Sequence, residues 1–570
     1  MSPPLTVARW IVAVLPVAML LGLVTWGRVK ARTAALLVAG LTTVLAWSVF
    51  GAGPVVLGVG VAKGLWLGGW ILVVVWPAML LYRIADHAGL QRIGALVATL
   101  FPNRCENLLI LAWLLPSFVQ GVAGFGTPIA VAAPLLLASG WSRTRAVAYP
   151  LIGYHWSVTF GSMGSSFYMA ALTAHLDSHD TDVFARHAAL LLGVNCLVAG
   201  ALILLLDGGL SGLRQGARLL LLAGVPMAAT LYLAAPVVPA VATVAAGAVG
   251  FAVALTVTGL HRWRAGAVSR HCGKVAESGH RTEPPSRNCG GREDGASSRL
   301  VSVRSRDTPG VVRAAVEVEP ARDRTAGRAG WLVTPYLYLL VSALAVLLVP
   351  SSRRWVSSHL VLGPAFPGTT TQLGWHNDAV DAYTPLAVLA HPGAYITVAC
   401  LLGYVTYRRA GLWEPVPVVS FVGGWLSSVR STSISILGLA TTTTILVDTG
   451  MISTLARGAV RVTGSAFPLL SGLTGALGSF LTGSTTSSNA MFAALQAQAA
   501  GLLHLPSPVL LAAQTAGSNV GNSLSPVIIL IGLSAVGAPH EVSTVLRPVA
   551  LAAVVLLATV TATTALMVVW

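Results

Sequence analysis

The sequence predicts an all-α, polytopic membrane protein with about 12 transmembrane helices and two re-entrant hairpins in an inverted repeat. Hydrophobic residues make up 55% of the chain and charged residues only 9%. About 25% of the residues of an average soluble domain are charged. Long apolar runs recur along the chain, and each can span a hydrocarbon core of about 30 Å. Two similar polar, glycine-rich stretches interrupt otherwise apolar segments.

The first apolar run, Trp10 to Trp26, is predicted to be a transmembrane helix, and with a basic turn it forms residues 1–32. Only Arg9 precedes it and no small-residue cleavage site follows, so we do not expect a signal peptide. Basic residues after the run place that end in the cytoplasm and the N-terminus outside. The same rule places the C-terminus outside. Further spans are predicted at residues 33–50, 64–85, 146–171, 187–206, 217–234, 236–260, 331–349, 392–407, 416–446, 508–535 and 547–568.

Segment 106–140 is predicted to be a re-entrant hairpin rather than a span. Arg104 precedes it and Arg143 and Arg145 follow it, which indicates that it enters from the cytoplasm and returns there. Segment 467–500 is the second predicted hairpin, and it enters from outside. Irregular backbone at membrane depth persists only where protein buries it or where it lines a watery cavity. A matching pair of breaks is typical of a transporter's substrate site.

The spacing of glycines supports a repeat. Similar intervals separate Gly121 from Gly161 and Gly483 from Gly521. The spans that contain Gly161 and Gly521 are each predicted to unwind at mid-depth. The predicted parts are 33–206, the first repeat; 207–260, connecting helices; 261–330, a loop; 331–391, a helix and an external loop; and 392–570, the second repeat.

Residues 261–330 are predicted to form a disordered cytoplasmic loop, because the segment is rich in Gly, Ser, Pro and Arg and lacks an apolar period. It carries much of the net charge of +16. This position indicates a positive-inside loop and not a nucleic-acid-binding surface. Its cysteines, Cys272 and Cys289, fit no tight zinc-finger spacing, so no metal site is predicted.

The two polar, glycine-rich stretches are the predicted tips of the hairpins, and both contain residues that favour the start of a helix. Thr127 is predicted to cap the helix after the first tip, with Pro128 at the first helical position, and Ser487 and Ser488 are predicted to cap a helix that begins near Asn489. Two helix N-termini aimed at one point bind a carboxylate without arginine. The alternative is that small residues only permit close helix packing. The candidate substrate-binding residues are Gln120, Gly121, Gly124, Gly126, Thr127, Ser162, Thr482, Gly483, Ser484, Thr485, Thr486, Ser487, Ser488, Asn489, Asn522, Ser523 and Arg430.

Three ionisable residues fall within predicted spans and are functional candidates by default. His155 is a candidate proton carrier, and the alternative is a neutral imidazole bonded to a neighbour. Arg430 is expected to pair either with a substrate carboxylate or with Asp448. Asp448 is the second proton-coupling candidate, although its position near a span end is also consistent with a hydrated side chain.

These motifs resemble those of the L-lactate permease family of bacterial membrane transporters. Residues 118–128 look like the family's E-G-x-A-G-F-G-x-P signature. Similarity to its C-terminal motifs occurs at residues 450–456, 480–492, 510–517 and 525–526. The resemblance covers about residues 8–560, apart from the basic loop.

The resemblance implies a plasma-membrane permease that takes up lactate or related 2-hydroxy acids with protons and moves as an elevator. Its partners would be a small organic anion, protons and the lipid bilayer. Three residues depart from the family's pattern: Gln120 replaces a glutamate, Thr485 an aspartate and Asn522 a lysine. Proton coupling by those carboxylates therefore does not carry over.

A passive channel or an exchanger for another small organic anion is the alternative function, and uncharged tips suit it. A membrane enzyme or sensor is a third class. The sequence contains no paired carboxylates, nucleophile elbow, P-loop or metal cluster, so we expect neither enzymatic activity nor a cofactor.

Overall fold

The computed structural model describes residues 6–25, 29, 31–89, 103–122, 124, 126–257, 330–347, 349–538 and 541–569. The predicted basic loop lies outside the described residues up to position 329, as do Ala123 and Phe125 of the first tip. The described chain is mostly helical, as predicted from composition.

The helices of the first half are α1 (Val7–Thr25), α2 (Ala31–Phe50), α3 (Pro54–His87), α4 (Arg104–Leu109), α5 (Leu115–Val122), α6 (Thr127–Ala138), α7 (Arg143–Tyr154), α8 (Ser165–Thr173), α9 (Ser178–Ala234) and α10 (residues 242–257). A π-helical turn, Ile110–Leu114, joins α4 to α5.

The helices of the second half are α11 (Thr334–Leu347), α12 (Pro350–Ser358), α13 (Pro392–Arg409), α14 (Val418–Asp448), α15 (Met451–Thr463), α16 (Phe467–Thr482), α17 (Thr485–Leu503), α18 (Ser507–Leu524), α19 (Pro526–Ala535) and α20 (Val542–Val569). We call residues 104–138 hairpin 1, 143–173 broken span 1, 467–503 hairpin 2 and 507–535 broken span 2.

Six described helices are long and apolar enough to cross a membrane, or up to seven if the bent pair α18–α19 forms one span. The chain is therefore a multi-pass membrane protein by the length and composition of its helices. The prediction of about 12 spans stays a prediction, because several described helices are shorter or more polar than this criterion requires.

Helix α9 is two antiparallel arms, which correspond to the predicted spans 187–206 and 217–234. Its 57 residues are interrupted at Gly209, where φ is 59° and ψ is −150°. The arms approach closely at glycines: a Cβ at Gly193 would lie 3.1 Å from Ala228, and one at Gly200 would lie 2.4 Å from Leu220. The connection predicted between the spans is thus a sharp helical turn.

One carboxylate ties together the two ends of hairpin 1. Asp207, at the turn of α9, accepts hydrogen bonds from Arg104 at 3.1 Å and from Arg145 at 3.3 Å. Arg104 is the first residue of hairpin 1, and Arg145 follows the hairpin. Segment 106–140 therefore returns to the end of the molecule where it began, and it is not one continuous helix. That it is re-entrant in the membrane stays a prediction.

Hairpin 2 is also an antiparallel pair. Ser471 on α16 donates to Gln496 on α17 at 2.8 Å, and Ser488 donates to the carbonyl of Gly475 at 2.9 Å. The base of the pair is closed by an apolar cluster that contains Phe467 and Ala500.

Each end of helix α20 lies beside the base of one hairpin, which is the end opposite its tip. Glu541, just before α20, lies 4.0 Å from Arg143 beside the base of hairpin 1. Met567, near its other end, packs in the apolar cluster at the base of hairpin 2. Helix α20 has 28 residues, about 42 Å at 1.5 Å per residue. The two bases therefore lie at opposite ends of α20, and the hairpin tips point towards each other.

The predicted external loop carries four short strands between α12 and α13. Strand β1 (Val361–Leu362) pairs with β4 (Leu386–Ala387), and β2 (Thr369–Thr370) pairs with β3 (His376–Asn377), both antiparallel. This strand-bearing segment rests on helix ends: the Gln372 amide donates to the Gly51 carbonyl at 2.9 Å.

Candidate functional site

The two hairpin tips meet at one small cavity of about 30 Å³. Four parts of the chain border it: the tips of both hairpins, the break in broken span 1 and the end of α18 with the start of α19. Its lining residues are Gln120, Gly126, Tyr154, Val158, Ser162, Ser166, Gly483, Ser484, Thr485, Thr486, Asn522 and Ile528. The tips of both hairpins and the two spans that contain Gly161 and Gly521 thus border one cavity.

The tip of hairpin 1 rests against broken span 1. A Cβ at Gly124 would lie 1.8 Å from the Ser162 hydroxyl, and Gln120 Nε2 donates to that hydroxyl at 3.5 Å. The predicted cap is wrong: Gly126, with a left-handed φ of 84°, is the N-cap of α6, and Thr127 is its first residue. Glycine adopts this conformation without the steric cost that a threonine would carry.

The tip of hairpin 2 rests against broken span 2. Gly483 has a φ of 67°, and a Cβ there would lie 3.2 Å from the Ser525 hydroxyl. The predicted caps Ser487 and Ser488 are wrong. Ser484 is the N-cap of α17, and its hydroxyl accepts from the Ser487 amide at 3.2 Å. The helix therefore begins at Thr485, four residues earlier than predicted, because Ser484 has the extended backbone that a cap needs.

Broken span 1 unwinds where the sequence predicts. Between α7 and α8 the chain forms two short 3-10 turns, and Ser162, Met163 and Gly164 all have positive φ. Consecutive left-handed residues are costly for serine and methionine and persist where packing imposes them. Broken span 2 differs from the prediction, because Gly521 is helical and the break lies at Ser525, with a bend of 45°.

Several helices begin at this cavity, so their N-termini lie beside it. Helices α6 and α17 begin at its two tips, α8 begins one residue before Ser166, and α19 begins two residues before Ile528. Each N-terminus presents unsatisfied N–H groups and about half a positive charge. The Thr485 hydroxyl and the Asn522 amide oxygen are buried with no hydrogen-bond partner among the described residues. The described lining residues thus offer polar groups and positive potential, and none of them carries a charged side chain.

A polar network behind the cavity holds the elements together. Asn489 donates to the Ser166 carbonyl at 2.8 Å and to the Thr515 hydroxyl at 3.0 Å, and it accepts from Gln514 at 3.0 Å. Thr159 bonds to Thr515 at 3.0 Å. Sequence reasoning missed Thr159, Ser166, Gln514, Thr515 and Asn519. The polar residues at 515, 519 and 522 share one face of α18, and this spacing was a usable signal.

The predicted substrate-binding residues divide into groups. Gln120, Gly126, Ser162, Gly483, Ser484, Thr485, Thr486 and Asn522 line the small cavity, whereas Gly124 and Thr127 line a larger cavity beside it. Asn489 and Ser488 use their hydrogen-bonding groups within the protein. The structure does not bring Gly121, Thr482, Ser487, Ser523 or Arg430 to the small cavity.

The ionisable candidates lie apart from the cavity lining. Asp448 is buried and pairs with Lys63, whose Nζ lies 3.1 Å from both carboxylate oxygens. The predicted Arg430–Asp448 pair is wrong, because Arg430 lies on the same helix about 27 Å away at 1.5 Å per residue and is exposed. The imidazole of His155 is fully buried, and its Nδ1 donates to the Ile152 carbonyl at 2.8 Å.

A sequence model of the L-lactate permease family matches residues 9–301 and 321–570. The chain belongs to the L-lactate permease family. The match covers both hairpins and both broken spans, so every element that borders the cavity falls within the L-lactate permease match.

Curated members of the L-lactate permease family are similar over most of their length. The L-lactate permease of Salmonella typhi is 28% identical over 490 residues, 85% of this chain and 81% of that protein. The L-lactate permease of Escherichia coli K12 is 27% identical over 489 residues, 85% of this chain and 81% of that protein. Glycolate permease GlcA of E. coli K12 is 26% identical over 489 residues, 84% of this chain and 80% of that protein.

Among solved structures, this L-lactate permease family member aligns with the Alcanivorax borkumensis YdaH transporter. The TM-score is 0.41 and the identity 13%, over 87% of this chain and 84% of that chain.

Proposed function

We propose that this chain is a secondary active transporter that moves L-lactate or a related small 2-hydroxy monocarboxylate across the bacterial plasma membrane together with protons. The observation that carries the proposal is the cavity between the two hairpin tips, in a chain of the L-lactate permease family. Both termini lie outside in this proposal, as the flanking charges predict.

The chemistry of the cavity suits a small hydroxylated anion. The N-termini of α6 and α17 attract a carboxylate, and the Thr485 hydroxyl has no internal partner and can donate to it. The unpartnered Asn522 oxygen can accept a substrate hydroxyl. A volume of about 30 Å³ holds only a water or two, so the cavity must widen around a three-carbon acid. A widening site favours small ligands.

We also propose an inverted repeat that moves as an elevator. A hairpin is followed by a broken span in both halves, and the two hairpin bases lie at opposite ends of α20. Each tip packs against the break in the span that follows it. A hairpin and the broken span that follows it can move together as a rigid body, and the binding site then crosses the membrane without unfolding.

A passive channel or an exchanger for another small organic anion is the second candidate. The observation that favours it is the uncharged lining: Gln120, Thr485 and Asn522, the three departures from the family's pattern, all border the cavity. With neutral residues there, proton coupling requires a carrier elsewhere.

Uptake by purified protein in proteoliposomes tests the proposal. With an inward proton gradient, labelled L-lactate is expected to accumulate above its external concentration, and a protonophore should abolish the accumulation. Excess unlabelled L-lactate and glycolate should compete, whereas acetate should compete less because it lacks the hydroxyl. Equilibration without accumulation would favour the channel or exchanger, and no movement of any of these acids would refute the proposal.

His155→Gln is expected to abolish pH-driven accumulation and to leave exchange of labelled for unlabelled lactate measurable. Because the Ile152 carbonyl can only accept, His155 carries its proton on Nδ1, and its buried Nε2 has no partner among the described residues and can take a second proton. Accumulation and exchange are measured in the same proteoliposomes. Gln120→Glu should steepen the dependence of uptake on pH.

The matched control is His187→Gln, on α9 and away from the cavity lining. It should leave accumulation unchanged. Wild-type accumulation by His155→Gln would remove His155 from the coupling and direct attention to Asp448, the other proton-coupling candidate.

A further inference from the structure

A second, larger cavity adjoins the candidate substrate site. Its volume is about 330 Å³. Ser162 borders both cavities, and Gly124 and Thr127, at the tip of hairpin 1, line the larger one. The opposite wall comes from the last turns of α3 and the first turns of α14: Ala78, Met79, Tyr82, Arg83, Asp86, Trp425 and Ser428. A molecule in this cavity is therefore one side chain away from the small cavity.

Arg83 is the cation of this larger cavity. Its guanidinium lies 5.1 Å from the centre of the Phe421 ring, and Gly424 provides space for it, because a Cβ there would fall 2.1 Å from a terminal nitrogen. Its Nε is buried without a hydrogen-bond partner, and within the described part of the chain Arg83 forms no ion pair. A guanidinium that lies over an aromatic ring without a carboxylate partner keeps donors available for a planar carboxylate.

Among the described residues of the lining, the other charged side chain is Asp86, one turn further along α3. Tyr82 lies one turn before Asp86 on α3, and Thr127 of the hairpin tip lines the same cavity. Trp425 offers an apolar face and Ser428 a hydroxyl on the opposite side.

We propose that this cavity is a vestibule for the substrate and that Arg83 captures the carboxylate of a small hydroxy acid before the acid passes Ser162. The inference rests on the proposed function and adds to it the residue that recognises the anion outside the small cavity. In the orientation predicted from the basic flanks, the end of α3 is cytoplasmic, so the vestibule is the release side during uptake and the loading side for reversed transport.

The first test is kinetic. In inside-out vesicles that expose the predicted cytoplasmic side, Arg83→Gln should raise the KM for L-lactate about tenfold or more, because a charge-assisted hydrogen bond to the carboxylate is lost. Arg83→Lys keeps the charge without the planar fork and should raise KM less, and it serves if the glutamine variant does not fold. Arg214→Gln, an exposed arginine on α9, is the matched control and should not change KM.

The second test needs no substrate. A cysteine introduced as Ser428→Cys is treated with anionic and cationic methanethiosulfonate reagents of similar size, with the unsubstituted chain as background. The ratio of the anionic to the cationic rate should fall several-fold when Arg83→Gln is added. Asp86 is present both in Ser428→Cys and in the double variant with Arg83→Gln, so its effect on the rate ratio cancels when the two are compared.

The two tests separate failure of this inference from failure of the proposed function. If native protein moves no hydroxy acid but the reagent ratio depends on Arg83, the proposed substrate is wrong and the anion-attracting vestibule stands. If lactate transport is observed while Arg83→Gln changes neither KM nor the reagent ratio, the inference is overturned. An unreactive cysteine at position 428 would also overturn it, because the cavity would then not be open to solutes.

Discussion

Gly517→Ala is expected to destabilise hairpin 2 and abolish transport. A Cβ at Gly517 would lie 1.9 Å from the Gly472 carbonyl oxygen on the facing helix α16. Gly521 and Gly475 have equivalent approaches, at 2.0 Å to the Ala476 oxygen and 1.9 Å to the Gln514 oxygen. These obstacles are backbone atoms, which cannot rotate away. The two helices must separate, at a cost of about 1–3 kcal/mol or more for overpacking.

The measurement is thermal unfolding in detergent, followed by the reactivity of the buried cysteines Cys105, Cys196 and Cys400 as they become exposed. Proteoliposome uptake of L-lactate is recorded for the same preparations. The matched control is Gly501→Ala on α17, where a Cβ meets nothing within 4 Å. The control should be neutral or stabilising by up to about 1 kcal/mol, since alanine favours helix. Wild-type melting and uptake by Gly517→Ala would show that the helix contact is looser than described.

Gly521 shows how two explanations for a glycine compete in a membrane sequence. From spacing alone, we predicted that it marks an unwound span. In the structure it is helical and lies against the Ala476 carbonyl, so the close-packing alternative holds at this position. At Gly126 and Gly483 the backbone has a positive φ, so there glycine is needed for its conformation. The sequence pattern does not distinguish close helix packing from a positive φ, because both require glycine.

Composition and local polarity were sufficient to predict the helical membrane class and the places where the two hairpin segments are interrupted. The pairing of distant charges was not predictable. Asp448 pairs with Lys63, 385 positions away, and the predicted third span began just after that lysine. Arg83 and Asp86 looked like ordinary charges at a span end, yet they line a cavity. Which side chains share a space depends on helix packing, for which a single sequence carries little signal.

The last prediction compares Asn489 and Thr485, two neighbouring polar residues of α17. Both were predicted to bind substrate, but their surroundings differ. Asn489 makes two donor bonds and one acceptor bond inside the protein, to Ser166, Thr515 and Gln514. Thr485 is 1% exposed and borders the small cavity, and its hydroxyl has no partner among the described residues.

Asn489→Leu is therefore expected to lose stability and transport together. Each buried polar group that loses its partner costs about 1–3 kcal/mol, and several such losses approach the 5–15 kcal/mol by which a typical domain is stable. Thr485→Val keeps the shape of the side chain and removes only the hydroxyl. No internal bond is broken, so melting should stay at the wild-type temperature while the KM for L-lactate rises about tenfold through the loss of one ligand hydrogen bond.

Melting temperature and KM, measured on both variants, separate the two roles. Thr559→Val is the matched control, because its hydroxyl bonds only to the Val555 carbonyl within α20, at 2.9 Å. It should change neither quantity. An unchanged KM in Thr485→Val would mean that the substrate does not contact the tip of hairpin 2 at this hydroxyl. Wild-type melting in Asn489→Leu would mean that the network joining α17, α18 and broken span 1 does not hold them together. Only Asn489→Leu is expected to lower the melting temperature. A raised KM at the wild-type melting temperature in Thr485→Val therefore cannot come from a general loss of fold.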